Sequence, residues 1–223
     1  MSLKLWRLSV GIFVGALAWS PAVQAQKSYH VTTNTSSLTG KTGFLDFQFA
    51  KGNAFDSLDA TTVLSNVLTD GAFGATSTVS GGASGTLPGT ATINNTGGFN
   101  DLYQSIIFGN TFSFDLTFSG AALNPALSSS YGSTFAFSLF ASDGTTPLLT
   151  TDPNGTALDI NLNPGAHFMP VLFSASDTAG PAVTLTDTSP VPEVPTSLSF
   201  AVLLTLGIGG LYKARCRKKS AYV

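Results

Sequence analysis

Apolar and polar residues alternate through much of the middle of the chain. In Thr111–Ser119, Phe112, Phe114, Leu116 and Phe118 fall on one side, and Ser113, Asp115 and Thr117 on the other. Leu45, Phe47 and Phe49 alternate with Asp46 and Gln48. Phe135, Phe137 and Leu139 alternate with Ala136 and Ser138, and Phe140 interrupts the polar side. Leu158, Ile160 and Leu162 alternate with Asp159 and Asn161, and Val183 and Leu185 with Thr184 and Thr186. A period of two sets one face on a core and the other in water, as antiparallel strands require. Residues 58–68 fit a strand or a short helix by apolar spacing, and Thr61, Thr62 and Val63 favour the strand. Turn formers separate the runs: Thr39-Gly40, Asp70-Gly71, Gly81-Gly82, Pro88-Gly89, Gly97-Gly98, Asp143-Gly144, Asn154-Gly155 and Pro164-Gly165. Short strands at this spacing predict an all-β fold over residues 26–187, an antiparallel β-sandwich of jelly-roll-like kind. Residues 174–190 read as a last strand followed by linker.

The two ends depart from this pattern. Lys4 and Arg7 precede an uncharged run of 12 residues, 8–19, which Pro21 breaks. Val23 and Ala25 are small residues at the positions a signal peptidase reads, so residues 1–25 are expected to be an export signal cut after Ala25. The run is short for a membrane span. Residues 196–212 form a second uncharged run, 17 residues long. As a helix it would reach about 25 Å, enough for a thin bilayer core. Lys213, Arg215, Arg217, Lys218 and Lys219 follow at once. By the positive-inside rule residues 213–223 stay cytoplasmic and the body lies on the far side, in agreement with the export signal.

Composition narrows the function. Charged residues are 10% of the chain and the net charge is −2, which argues against a nucleic-acid partner. Residues 26–190 hold three Lys and eleven Asp, with no Glu, Arg or Trp, and so carry a formal charge of −8. The sole Cys is Cys216, so the body has neither a disulfide nor a thiolate nucleophile. No G-x-S-x-G elbow occurs. Asp56 and Asp59 read as exposed loop carboxylates rather than a glycosidase pair. His30 is expected to alternate within the first strand and His167 to sit in a turn beside Pro164-Gly165. Two distant histidines make no metal site without further ligands. Asp143, Asp152 and Asp159 lie in oxygen-rich turns and are the calcium candidates. Asp-Gly and Asn-Gly form turns without any metal, so no cofactor is expected. Tyr29, Tyr103 and Tyr131 are the aromatic candidates for sugar contact. The scarcity of acid, base and nucleophile predicts a protein that is not an enzyme.

Val191-Pro192-Glu193-Val194-Pro195 stands just ahead of the second hydrophobic run and contains the only Glu of the chain, Glu193. Its prolines hold the segment extended, in a form a membrane-embedded peptidase can engage. The order of this Pro-Glu-Pro-like segment (188–195), the hydrophobic run and the Arg/Lys cluster resembles the PEP-CTERM sorting domain. Pro192 and Glu193 match; Val194 stands where the second Pro is usual, and Pro195 comes one place later. The resemblance implies recognition by exosortase, a membrane sorting enzyme of Gram-negative bacteria, with transient inner-membrane anchoring before delivery to the cell surface or beyond. A plain single-pass anchor would share the same charge layout. Residues 29–49, 84–101 and 135–156 resemble a family of PEP-CTERM proteins of unassigned function. That resemblance implies surface delivery and a role near exopolysaccharide, biofilm or cell aggregates, and it implies no catalytic residue. A carbohydrate-binding sandwich, with or without calcium, on a plain anchor is the alternative.

Overall fold

A computed structural model describes residues 26–190 apart from residues 166, 177 and 178. The leader with Val23 and Ala25, the Pro192, Glu193 and Pro195 motif, the run 196–212 and the basic cluster lie outside the described residues. Among the described residues no helix is long and apolar enough to cross a membrane.

Fourteen strands follow one another: β1 (Lys27–Asn34), β2 (Thr42–Lys51), β3 (Thr61–Thr69), β4 (Ala72–Ser80), β5 (Ala83–Gly85), β6 (Ala91–Asn94), β7 (Asp101–Ile107), β8 (Thr111–Ser119), β9 (Ser133–Ala141), β10 (Thr156–Asn163), β11 (His167–Leu172), β12 (Ser174–Ser176), β13 (Ala179–Pro181) and β14 (Val183–Asp187). Single 3-10 turns occupy Ser36–Leu38 and Ala121–Leu123. The first sheet runs β14-β1-β8-β3-β6-β5 and the second β11-β10-β9-β2-β7-β4; β12 and β13 form a separate hairpin. All pairings are antiparallel.

The alternating residues make the core. In β8, Phe112, Phe114, Leu116 and Phe118 are all shut away from solvent, as are Leu45, Phe47 and Phe49 of β2. Their rings meet across the two sheets. Phe47 lies edge-on to Phe114 at 5.3 Å, Phe49 to Phe118 at 5.8 Å, and Phe114 to Phe137 of β9 at 5.3 Å. Edge-to-face and offset pairs of this kind add about 0.5–1.5 kcal/mol each to what burial supplies. The sheets therefore face each other as a sandwich with a phenylalanine filling. Residues 61–69 are strand, with a bulge between Ser65 and Leu68. The bulge buries Val67 and leaves Leu68 65% exposed, which explains the ambiguous apolar spacing there.

Two buried asparagines hold irregular backbone. Asn95 donates through Nδ2 to Leu58 O (3.0 Å) and Ser133 Oγ (2.7 Å) and accepts from Ala60 N (2.8 Å). Asn100 donates to Phe49 O (2.8 Å) and accepts from Gly82 N (2.8 Å). A Cβ on Gly71 would sit 2.1 Å from Ile107 O, so the turn after β3 can press against the end of β7 only as glycine.

Two expectations need correction. His167 opens β11 rather than sitting in a turn, because the Pro164-Gly165 turn is complete before it. Residues 174–187 form three short strands, β12 to β14, rather than one.

Candidate functional site

Three places gather polar chemistry. The first is a groove of about 620 Å³ where the sandwich gapes between β1 and β14 on one side and β11 on the other. Tyr29, Leu123, Phe168 and Leu185 make its apolar part; Lys27, His167 and Asp187 are its polar part. Lys27 forms an ion pair with Asp187 and lies 5.2 Å from the centre of the Tyr29 ring. Burial, and then the Asp187 charge, push the Tyr29 phenol up to about 12. The Lys27 and Ser189 hydrogen bonds hold Asp187 down at about 2. Ser189 Oγ accepts from Ser28 N (3.0 Å), and Thr188 N donates to Ser28 O (2.9 Å). Both ends of the described chain therefore leave the sandwich at this pole.

The second place is the outer face of the first sheet. His30 Nδ1 lies 2.6 Å from Asp115 Oδ1, Asn66 Nδ2 donates to Asp115 Oδ2 (2.7 Å), and Thr32 Oγ1 lies 3.3 Å from His30 Nε2. Burial raises the Asp115 carboxyl, but the Asn66 and His30 hydrogen bonds outweigh it and leave the group below its usual range. Carboxylate, imidazole and hydroxyl stand in the order of a nucleophile-activating relay. The backbone of β1 is paired to β14 and to β8, however, so the N–H groups around Thr32 serve those ladders and none is left to hold an oxyanion. Asn66 sits at the β3 bulge with φ +49, a conformation open to asparagine at small cost.

The third place is the outer face of the second sheet. Phe44 and Tyr103 stack at 4.7 Å. Asp46 on β2 stands opposite Tyr103 on β7 and Ser138 on β9, and the next outward residue of β2, Gln48, stands opposite Asp101. Asp46 and Asp101 are therefore diagonal neighbours on one face, 6% and 9% exposed. Gln48 Nε2 donates to Asp46 Oδ2 (2.7 Å). Asp46 Oδ1 and Asp101 Oδ1 are both buried without a donor. Burial first, then the hydrogen bond and charge of Asp101, push the Asp46 carboxyl up to about 8, against the opposing pull of Gln48.

No protein family, curated protein or solved structure matches the chain.

The calcium candidates fall in this third region but do not converge. Asp143 closes its own turn, accepting from Thr145 N (2.9 Å) and Thr146 N (2.8 Å), and the Thr146 bonds hold it down at about 2. Asp152 accepts from Thr156 N (3.0 Å). Asp159, on β10, is pushed up to about 6 by burial and then by Asp152. Among the described residues no three His, Cys, Asp or Glu side chains gather as a metal site. Of the aromatic candidates Tyr29 is 4% exposed, a correction to its reading as a surface ring, and Tyr131 is 51% exposed. Asp56 and Asp59 are exposed, and Asp59 pairs with Lys51 at 2.5 Å. The Asp46–Asp101 pair is the feature that periodicity missed. Its signal was present: an acid in the middle of an apolar strand, in a body with three lysines for eleven aspartates.

Proposed function

We propose that this chain is an exported, non-enzymatic surface or matrix protein. Signal peptidase removes residues 1–25. The run 196–212 then holds the body briefly at the inner membrane. Exosortase acts at the segment around Pro192, Glu193 and Pro195, and the body joins the cell surface or the extracellular matrix, near exopolysaccharide. The sequence argument is polarity: two hydrophobic ends, each flanked by cations, around a body of formal charge −8. The structural observation that supports the reading is the pairing of β1 with β14, which brings both ends of the described body to one pole and leaves the rest of the sandwich clear of a C-terminal tether. The nested pairs β1/β8, β2/β7 and β3/β6 support a jelly-roll-like sandwich, a fold common to binding and coat domains.

The test is the mass of the mature protein from its native host. The expected product starts at Gln26 and lacks residues beyond about 195. Recovery of a C-terminal peptide that still ends in Tyr222-Val223 from the surface fraction would refute processing. The carbohydrate-binding reading is favoured by one observation, the groove of about 620 Å³ with Tyr29 and Phe168 beside Lys27 and His167. Retention on a polysaccharide column that is lost on Phe168→Ala would support it, and no retention on any glycan would remove it.

A further inference from the structure

We infer that Asp46 and Asp101 share one proton and form a pH-sensitive latch between β2 and β7, closed while the proton is held and loosened when it leaves. Both Oδ1 atoms are cut off from solvent and neither has a donor. The register makes the two carboxyls diagonal neighbours on one buried face. Two ionised carboxylates are acceptors only, and a hydrogen held by one is the donor that the other lacks. Two bare anions this close and this dry would repel strongly, and protonating one of them removes that repulsion.

A metal ion is the other positive charge that could lie there, and the surroundings favour the proton. Calcium takes six to eight oxygens. The Gln48 amide already occupies Asp46 Oδ2, and the described residues bring no third acidic ligand. Lysine is not the partner, since Lys27 pairs with Asp187, Lys51 pairs with Asp59, and Lys41 is exposed ahead of β2 with no ion pair among the described residues. The neighbouring strands β9 and β4 carry no titratable side chain. On β7 the facing group is Tyr103, and Asp143 acts on that ring from the loop after β9. Each of these groups is neutral or negative, so each favours keeping the proton. Asp159, on the same face with Asp152, titrates at about 6 and so ionises before the latch does.

The sign follows from linkage. Asp46 binds its proton more tightly folded than unfolded, so its contribution is complete below the unfolded carboxyl range. It is lost as pH rises through about 8. When the proton leaves, two buried anions must separate or draw in water, and the β2–β7 pairing weakens.

The full chain in detergent micelles tests this. Thermal unfolding is followed by near-ultraviolet dichroism from about pH 5 to about pH 9 in chelator-treated buffer, and infrared pH-difference spectra are recorded on the same samples. The melting temperature is expected to fall by about 5 °C or more between about pH 5 and about pH 8 and to level off above that. A protonated-carboxyl band is expected to persist at neutral pH and vanish by pH 9. Asp46→Asn supplies a permanent N–H donor in place of the shared proton, so it should flatten that fall and remove the band. Asp101→Asn should do the same. A neutral sample without the band overturns the proposal, and the wild-type spectrum alone decides that, even if a variant fails to fold. A melting temperature that rises with added calcium chloride in the wild type but not in Asp46→Asn also overturns it, by showing a metal ion at the pair.

Discussion

On the outer face of the first sheet, Asp115 has a donor at each oxygen, His30 at 2.6 Å and Asn66 at 2.7 Å. On the outer face of the second, Asp46 has Gln48 on one oxygen and no donor on the other, with the Asp101 carboxyl its diagonal neighbour. Both aspartates sit at the middle of an inner strand with Phe residues on the reverse side. They differ in what the neighbouring strand places across from them. β1 brings an imidazole to Asp115, and its carboxyl stays below the usual range. β7 brings an acid to Asp46, and its carboxyl rises to about 8. Identical side chains on matching positions of two sheets are thus pushed in opposite directions, because cross-strand pairing, rather than the strand's own sequence, supplies the counter-group.

The comparison assumes a common, rigid layer beneath both faces. Removing that layer should produce the largest effect. Phe47 touches Phe112 and Phe114 of the first sheet and Phe137 of the second. Phe47→Ala is expected to cost about 3–5 kcal/mol in denaturant unfolding, with both faces lost in one transition. Two separate transitions would break the idea that the faces share a core. Next comes the alkaline limit. Asp46→Asn should raise stability at about pH 9 by a few kcal/mol and change little at about pH 5. Equal effects at both pH values would mean that the acid pair is not what separates the two faces. Asp115→Ala should cost about 0.5–1.5 kcal/mol at neutral pH, since His30 and Asn66 lose their acceptor but are exposed enough to turn to water. Its loss should shrink as pH falls, because a carboxyl held below the usual range contributes above that range and not under it. The acid limit itself belongs to Asp70, Asp143 and Asp187, each held down at about 2, so wild-type stability should also fall as pH drops from about 4 towards 2. The smallest effect is expected at the groove. Lys27→Met removes an exposed ion pair with Asp187 and should cost below about 1 kcal/mol, with salt screening most of it.

Much of the fold was legible before any coordinates. β2, β8, β9, β10 and β14 announce themselves by strict alternation, because each has one face on the core and one in water. β4 and β7 did not. β4 is an edge strand mostly of Ala, Gly, Ser and Thr, in which Phe73 and Val79 are too far apart to make a hydrophobic stripe. In β7 the inward series Leu102, Gln104, Ile106 is broken by an amide. Gln104 is buried because its Nε2 donates to Gly74 O (2.9 Å) and Thr76 O (3.2 Å), carbonyls that the β4 bulge takes out of the ladder. No local pattern reports a glutamine whose partner is another strand's irregularity. The groove was illegible for a related reason. His167, Tyr29 and Asp187 are far apart in the chain and meet only because the sheet edges gape there. Asn95 and Asn100 lie in loops, yet both are buried as braces for backbone that has left the ladders.

What the chain determined by itself is the class of fold and the placing of its core. Period-two alternation and regular turn residues are short-range properties, and they oblige a sheet to present its Phe side inward. The scarcity of cations in the body is likewise a property of composition, and it makes an unneutralised carboxylate nearly unavoidable. Which carboxylate that is, and that Asp46 and Asp101 meet while Asp143 caps its own turn, only the tertiary structure decided. Strand register sets those neighbours, and register depends on how fourteen strands divide between facing sheets and a small hairpin, a long-range packing choice that no single strand encodes.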